Sequence, residues 1–385
     1  MISILECNDN IDDIAKTHND FIVKSISPIV DFYLEVYNIK NSLTNYSRNN
    51  TIIENIKKIP GIHGNTKRSL LSILFTKKKE IEKLNDSWKI KRTNLLSIQA
   101  RNVNQILASL TFLSNNLNEI VSLNLNEIYS LNSALYNTYR VNLNPINFLL
   151  EKIFNYDWFI SLNLDEDWNS YKLTEALGIK VCPYCNRQRT FTVKNNTDKI
   201  TKPELDHFLP KKQHPLLALS FYNLIPSCTV CNRDLKGEIP FSYDTHLSPY
   251  EENKKHELIK YDYLPMSYGG AAGLSEDIKI QIKYLEGVSS NLKRKIEGNI
   301  SVFKYEDISD NLTDIVQEII YKRYISGDDY IKILKKTFPK ANLTYEEAYR
   351  IAYGNYYNEK DFAKRPLSKM TKDIAYHIDS LKEFI

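Results

Sequence analysis

Four of the five cysteines stand as two Cys-x-x-Cys pairs, Cys182/Cys185 and Cys228/Cys231, and no other feature constrains the fold as tightly. Two intervening residues let one tight knuckle aim both sulfurs at a single point. Two knuckles complete a tetrahedral thiolate set, which zinc accepts because its filled d shell imposes no other geometry. A thioredoxin-like redox centre would need one knuckle inside a βαβ pattern, which the flanking residues do not show. Disulfides belong to secreted chains, whereas the start, MISILECNDNIDDI, carries acids and no basic-then-apolar leader. The expectation is a structural zinc on Cys182, Cys185, Cys228 and Cys231 in a cytoplasmic protein. The span between Cys185 and Cys228 is longer than in a simple zinc ribbon, so another unit is inserted there.

That insertion carries a polar set. Asp206 and His207 follow Pro203-Glu204-Leu205 and precede Phe208-Leu209-Pro210, which reads as a short strand ending in a turn. Asn223 opens a second apolar run, Leu224-Ile225-Pro226. Ser227 can cap a helix from about Cys228 to Lys236, with Asn232 on it. Strand, strand, helix is the expected unit. Taken singly these residues are commonplace, since an Asp-His pair usually marks a surface turn and an Asn before a helix usually caps it. Their joint spacing within the cysteine frame is what points to chemistry.

Asp-His, then Asn, then Cys-x-x-Cys-Asn with a later Lys resembles the HNH nucleases and their ββα-metal finger. The resemblance implies a mainly α protein with a small α+β, zinc-supported HNH nuclease core. It implies Asp206 and Asn232 as ligands of a catalytic divalent cation, Mg²⁺ or Mn²⁺, His207 as general base and Asn223 as its orienter. The chemistry asks for such groups. Phosphodiester hydrolysis needs a water deprotonated near neutral pH, where unperturbed histidine titrates, and a cation to offset charge on the transition state. A carboxylate and an amide leave most of a Mg²⁺ octahedron open, whereas four thiolates form a closed site. Cys-Pro-Tyr-Cys-Asn, Leu-Asp-His-Phe-Leu-Pro-Lys and Tyr222-Asn223-Leu224-Ile225-Pro226-Ser227-Cys228 also resemble the HNH partner of Septu-type and retron-associated antiphage systems, where the nuclease works with a separate ATPase. Arg187, Arg189, Lys211, Lys212, Arg233 and Lys236 are the basic residues near the motif, expected to meet phosphates of DNA or RNA. A non-cleaving nucleic-acid-binding module and a partner-docking scaffold are the rival readings.

The rest of the chain supplies organisation. Its 385 residues, 42% hydrophobic and 25% charged, suit a soluble protein of two or three compact regions. They read as a helical region over 1–150, the zinc-supported unit over 151–250 and a mostly helical region over 251–385. A net charge of +4 permits nucleic-acid binding without arguing for it. No apolar run approaches a membrane span, and no Gly-x-x-x-x-Gly-Lys occurs, so the chain is not itself a P-loop ATPase. Ile22, Ile26, Ile29, Val30, Tyr33 and Val36/Tyr37 make one helical stripe. Val103, Ile106, Leu110, Leu113, Leu117 and Ile120 make a seam with steps of three and four. That seam suits a helical hairpin, a dimer contact or an ordinary buried face. Between the two, residues 57–92, which span a break at Pro60-Gly61-Ile62-His63-Gly64, are rich in Lys and Arg; this run is either a phosphate-binding stretch or a solvated helix face. Asn169 caps a helix that Gly178 stops. A strand is expected from Gln188 to Val193, another over Ile278–Tyr284, and a turn or flexible joint at Gly269-Gly270-Ala271-Ala272-Gly273. Helices are expected near 288–305, 310–337, 344–353 and in the tail. Cys7 reads as a plain thiol, and His214 as a turn residue or an extra site residue.

Overall fold

The structure is a computed structural model and describes residues 1–41, 103–124, 127, 134–251, 258–284, 287–326 and 330–380. The basic run of residues 57–92 and the break at 60–64 lie outside the described residues. The chain is mainly helical, with three two-stranded antiparallel sheets among the described residues. No helix of the described residues is long and apolar enough to cross a membrane. Contacts group the residues into two compact units. One joins Met1–Ile14, Ile160–Pro210 and Tyr222–Ile385; the other joins Ala15–Phe159 and Lys211–Phe221.

The second unit is helical because its apolar residues recur at helical spacing. In helix Ile11–Asn41 the stripe residues Ile22, Ile26, Ile29, Val30, Tyr33 and Tyr37 are all buried. In helix Val103–Ser122 the six seam residues are buried too. This seam serves an intrachain hairpin with helix Ala134–Leu143. Ser109 donates to the Asn142 carbonyl at 2.6 Å, and Tyr139 donates to Glu119 at 2.9 Å, so the two helices run antiparallel. His214 belongs here as a structural residue, with its Nδ1 2.9 Å from the Tyr136 hydroxyl.

The first unit is built on its three sheets. Strands β1 (Val193–Lys194) and β2 (Lys199–Thr201) pair, as do β3 (Glu204–His207) and β4 (Leu224–Ser227), and β5 (Ile259–Pro265) and β6 (Ile278–Tyr284). The expected strand at 278–284 is β6, its alternation burying Ile278, Ile280 and Ile282. Helix Ser170–Leu177 ends where expected. The Asn169 side chain accepts from the Tyr171 and Lys172 amides, and Gly178 stops the helix at φ 65°. The expected strand from Gln188 to Val193 shrinks to a Val181–Arg189 bridge and β1. Backbone bonds from the Cys182 amide to the Gln188 carbonyl at 2.9 Å and from the Thr190 amide to the Lys180 carbonyl at 3.0 Å hold the bridge, and beyond it the Thr192 side chain bonds Thr174 at 2.8 Å and that of Thr190 bonds the Ile179 carbonyl at 3.2 Å.

The glycine-rich stretch is the expected turn and not a flexible joint. Tyr268–Ala271 forms a helical turn capped by Ser267, and a Cβ on Gly273 (φ 68°) would lie 2.3 Å from the Tyr321 amide nitrogen. The expected helices of the last third appear as Ser290–Val302, Thr313–Ser326, Tyr330–Thr337, Tyr345–Tyr353 and Ser368–Ser380. The last of these is tied to β5. Asp373 accepts from the Tyr261 amide at 3.0 Å, and His377 pairs with Asp262 at 2.9 Å.

His18 reports on the helical unit. It is fully buried, its Nε2 lies 2.8 Å from the Leu219 carbonyl, and the Phe159 ring packs edge-on at 5.3 Å. Burial pushes its pKa down from 6.5 to about 4, so the folded protein holds it neutral. Below pH 6.5 the unfolded chain takes up a proton that the folded chain refuses. This contribution is therefore complete above the unfolded value and is lost as pH falls toward 4, by about 3 kcal/mol. Urea unfolding followed from pH 7 to pH 4.5 should show the loss, and His18→Gln should flatten that slope. An unchanged slope would show that His18 is not the group responsible.

Candidate metal centre and active site

The cysteine knuckles are closed by backbone geometry. The Asn186 amide donates to the Cys182 carbonyl at 2.8 Å, and the Cys182 amide donates to the Gln188 carbonyl at 2.9 Å. Backbone N–H groups point at sulfur in both knuckles, Arg187 to Cys185 and Cys231 to Cys228, each at 3.4 Å. Asn186 takes the left-handed conformation, φ 50°, which asparagine tolerates better than most side chains. It also ties the knuckle to the C-terminal segment: its side chain donates to the Phe362 carbonyl at 3.0 Å and accepts from the Lys369 amide at 3.2 Å.

The four Sγ atoms lie within 4.8 Å of one another and all four cysteines are buried free thiols. Zinc–sulfur bonds of about 2.3 Å in a tetrahedron set sulfurs about 3.8 Å apart, so the set fits such an ion. Hydrogen bonds from the other three sulfurs hold the Cys185 thiol well below its ordinary range. The cluster is thus able to bind a metal such as zinc. With four sulfur ligands and no open position, its role there would be structural.

The polar set hangs between the knuckles on the β3–β4 hairpin, in register Asp206 opposite Ile225 and His207 opposite Leu224. Alternation puts Glu204 and Asp206 on one face of β3, and the helical segment Val230–Lys236 covers them. This segment is a π-helix, shown by the i→i+5 bond from the Gly237 amide to the Asn232 carbonyl at 2.9 Å. Such widened turns recur at functional sites. The expected Ser227 cap is absent: Ser227 is the last residue of β4, and Thr229 precedes the helix without a side-chain cap bond.

Asp206 is buried and both of its oxygens are engaged. Oδ1 meets the Lys236 ammonium at 2.6 Å, and Oδ2 accepts from the Tyr184 hydroxyl at 2.7 Å. Burial and the Asp206 charge push the Tyr184 phenol up, so it remains a donor. Lys236 also donates to the His207 carbonyl at 2.5 Å and lies 4.9 Å from the Phe241 ring centroid. Its 3% exposure places it under the site, not on a surface where phosphates would meet it. Phe241 in turn stacks on His246, which burial, then Lys236, lowers to about 4.

Asn232 faces a different carboxylate. Its side-chain amide donates to Glu204 at 2.8 Å, and Arg233 pairs with the same group at 2.6 Å. Asn223, fully buried, clamps the backbone two residues after His207: Oδ1 accepts from the Leu209 amide at 2.7 Å and Nδ2 donates to the Leu209 carbonyl at 3.0 Å. The Phe208 amide donates to the Asn223 carbonyl at 3.0 Å. The peptide carrying His207 is therefore held from both sides, while its imidazole is half-buried.

The remaining basic candidates scatter. Arg187 is half-buried beside the first knuckle, and Arg189 is exposed over the Phe191 ring at 5.4 Å. Lys211 and Lys212 belong to the helical unit, where Lys211 meets Asp157 at 3.4 Å. Sequence reasoning did not single out Tyr184, Asn186 or Glu204. Glu204 was accessible to it, being two residues before Asp206 and so on the same strand face. Cys7 is a half-buried thiol that burial pushes up to about 12, in keeping with an inert side chain. Compared with known proteins, the chain stands apart: no family model matches it, and no curated protein or solved structure is significantly similar.

Two expected outcomes follow. Purified protein should carry stoichiometric zinc by elemental analysis, and Cys182→Ser or strong chelation should unfold the hairpin unit; a metal-free protein with an unchanged melting curve would refute the zinc. Separately, Lys236→Met leaves the buried Asp206 charge without its cation, so urea unfolding should show a loss of about 3–5 kcal/mol. A loss below about 1 kcal/mol would mean the pair contributes little.

Proposed function

We propose that this chain is a metal-dependent nuclease of the HNH class, hydrolysing phosphodiester bonds in DNA or RNA. The observation that carries the reading is the joint placement of Asp206, His207, Asn223 and Asn232 on one hairpin-plus-helix unit framed by four convergent cysteines. His207, at the end of β3, takes the proton of the attacking water. Asn223 acts through the backbone, fixing the turn after His207 so that the imidazole keeps one position. Lys236 holds the His207 carbonyl and Asp206 together, which fixes the hairpin against the helix.

The reaction class draws on a divalent cation to offset charge on the leaving oxygen. The motif resemblance implies Mg²⁺ or Mn²⁺ on Asp206 and Asn232. As placed, these side chains do not present that site: Asp206 is taken by Lys236 and Tyr184, and Asn232 donates to Glu204. We therefore derive no step through the ion. This same engagement of Asp206 favours a second reading, a nucleic-acid-binding module that does not cut. A role in antiphage defence alongside a separate ATPase subunit rests on the motif resemblance.

Plasmid DNA and total tRNA incubated with purified protein, with Mg²⁺ or Mn²⁺ and with the ion omitted, decide between them. Cleavage should need the ion and fall by about 10²–10⁴-fold in His207→Ala, the usual worth of a general base. The circular dichroism spectrum should hold, because His207 pairs with Leu224 through the backbone. Binding with no cleavage under any ion, with or without a co-encoded ATPase, would establish the non-cutting module instead.

A further inference from the structure

A groove of about 280 Å³ opens between segment 188–191, segment 201–204 and segment 227–230 of the hairpin unit. Its lining includes Arg189, Phe191, Lys202, Glu204, Thr229 and Val230. We infer that this groove holds one unpaired nucleotide of a single-stranded DNA or RNA, its base against Phe191 and its phosphate on Arg189 and Lys202. The inference deepens the nuclease reading in so far as it assigns a subsite to the same strand.

Its chemistry matches that ligand. Phe191 and Val230 are 47% and 39% exposed, so two apolar side chains stand uncovered within one cleft. The Arg189 guanidinium lies 5.4 Å from the Phe191 centroid, an aromatic already paired with a cation. Single-strand sites combine these elements, an aromatic platform and a basic wall. Among the described residues lining the groove Glu204 is the acid, and its charge is occupied by Arg233 at 2.6 Å and by Asn232 at 2.8 Å. Lys202 is half-buried, which lowers it to about 8; its ammonium donates to the Pro203 carbonyl at 3.3 Å, and the negative charge of a phosphate beside it would offset the burial and favour the charged form.

Size and position support the same occupant. The volume falls just below the roughly 300–1,000 Å³ of pockets that enclose whole small molecules, which suits a fragment of a polymer. A base in a duplex is stacked and paired, so it must leave its helix to enter such a cleft. Glu204 lines the groove and also bonds Asn232, and it precedes His207 by three strand residues, roughly 10 Å.

Fluorescence anisotropy of the full chain, without added divalent cation, reads the groove independently of cleavage. The probes are labelled, unstructured single-stranded DNA and RNA oligonucleotides and a DNA duplex. Phe191→Ala should weaken single-strand binding about tenfold or more with an unchanged circular dichroism spectrum, and Phe191→Trp should restore it. The oligonucleotide more affected identifies the sugar class. Wild-type protein that does not bind single strands, or Phe191→Ala that binds like wild type, overturns the inference. Phe191-dependent binding with no cleavage sinks the nuclease reading and leaves the groove standing. Cleavage with Phe191-independent binding does the reverse.

Discussion

The hairpin unit depends on bringing two cysteine knuckles, far apart in sequence, to one point. Closing so long a loop costs chain entropy, and the cost must be offset by what the closure holds. Four sulfurs within 4.8 Å, with backbone N–H groups aimed at two of them, are arranged to be held by one ion. The strands β3 and β4 between Cys185 and Cys228 are then suspended from a fixed frame. The frame also anchors distant chain. The Ile2 amide donates to the Pro183 carbonyl at 2.9 Å, and Asn186 binds the segment around Phe362 and Lys369.

Inside that frame a buried charge pair sets how the helix lies on the hairpin. Burying Asp206 and Lys236 costs desolvation that their attraction alone does not recover. The surroundings supply the balance through the Tyr184 hydroxyl, the His207 carbonyl and the Phe241 face. Sliding the helix along the hairpin would leave both charges buried without partners. The π-helical turn belongs to the same arrangement, since Asn232 meets Glu204 and Lys236 meets Asp206 within one widened turn.

Much of the fold was legible in the residues, for local reasons. The seam from Val103 to Ile120 repeats at helical spacing, β6 alternates, and Asn169 and Gly178 bracket their helix with the chemistry that caps require. Where the reading fell short, contacts distant in the chain decided. Gln188–Val193 has strand-like residues, yet only Arg189 and Val193 join a bridge or strand, and Thr190 and Thr192 find side-chain partners in the helix before them and at its exit. Of the two readings of Gly269–Gly273, turn or flexible joint, the turn holds, and Gly273 is needed where the chain passes close to the Tyr321 backbone.

The candidate site divides along the same line. Which cysteines, acids, bases and amides are present, and how they are spaced, is already fixed along the chain, because Cys-x-x-Cys and Asp-His are local patterns. So is the ability of the sulfurs to meet at one point, since each knuckle aims its pair by its own geometry. It took the packed fold to make Lys236 a buried counter-charge and not a surface cation, to turn Asn223 onto the Leu209 backbone, and to stand Glu204 beside Asn232. Hydrogen-bond partners far apart in the chain are chosen by the packing of strand against helix, and spacing along the sequence does not encode that choice.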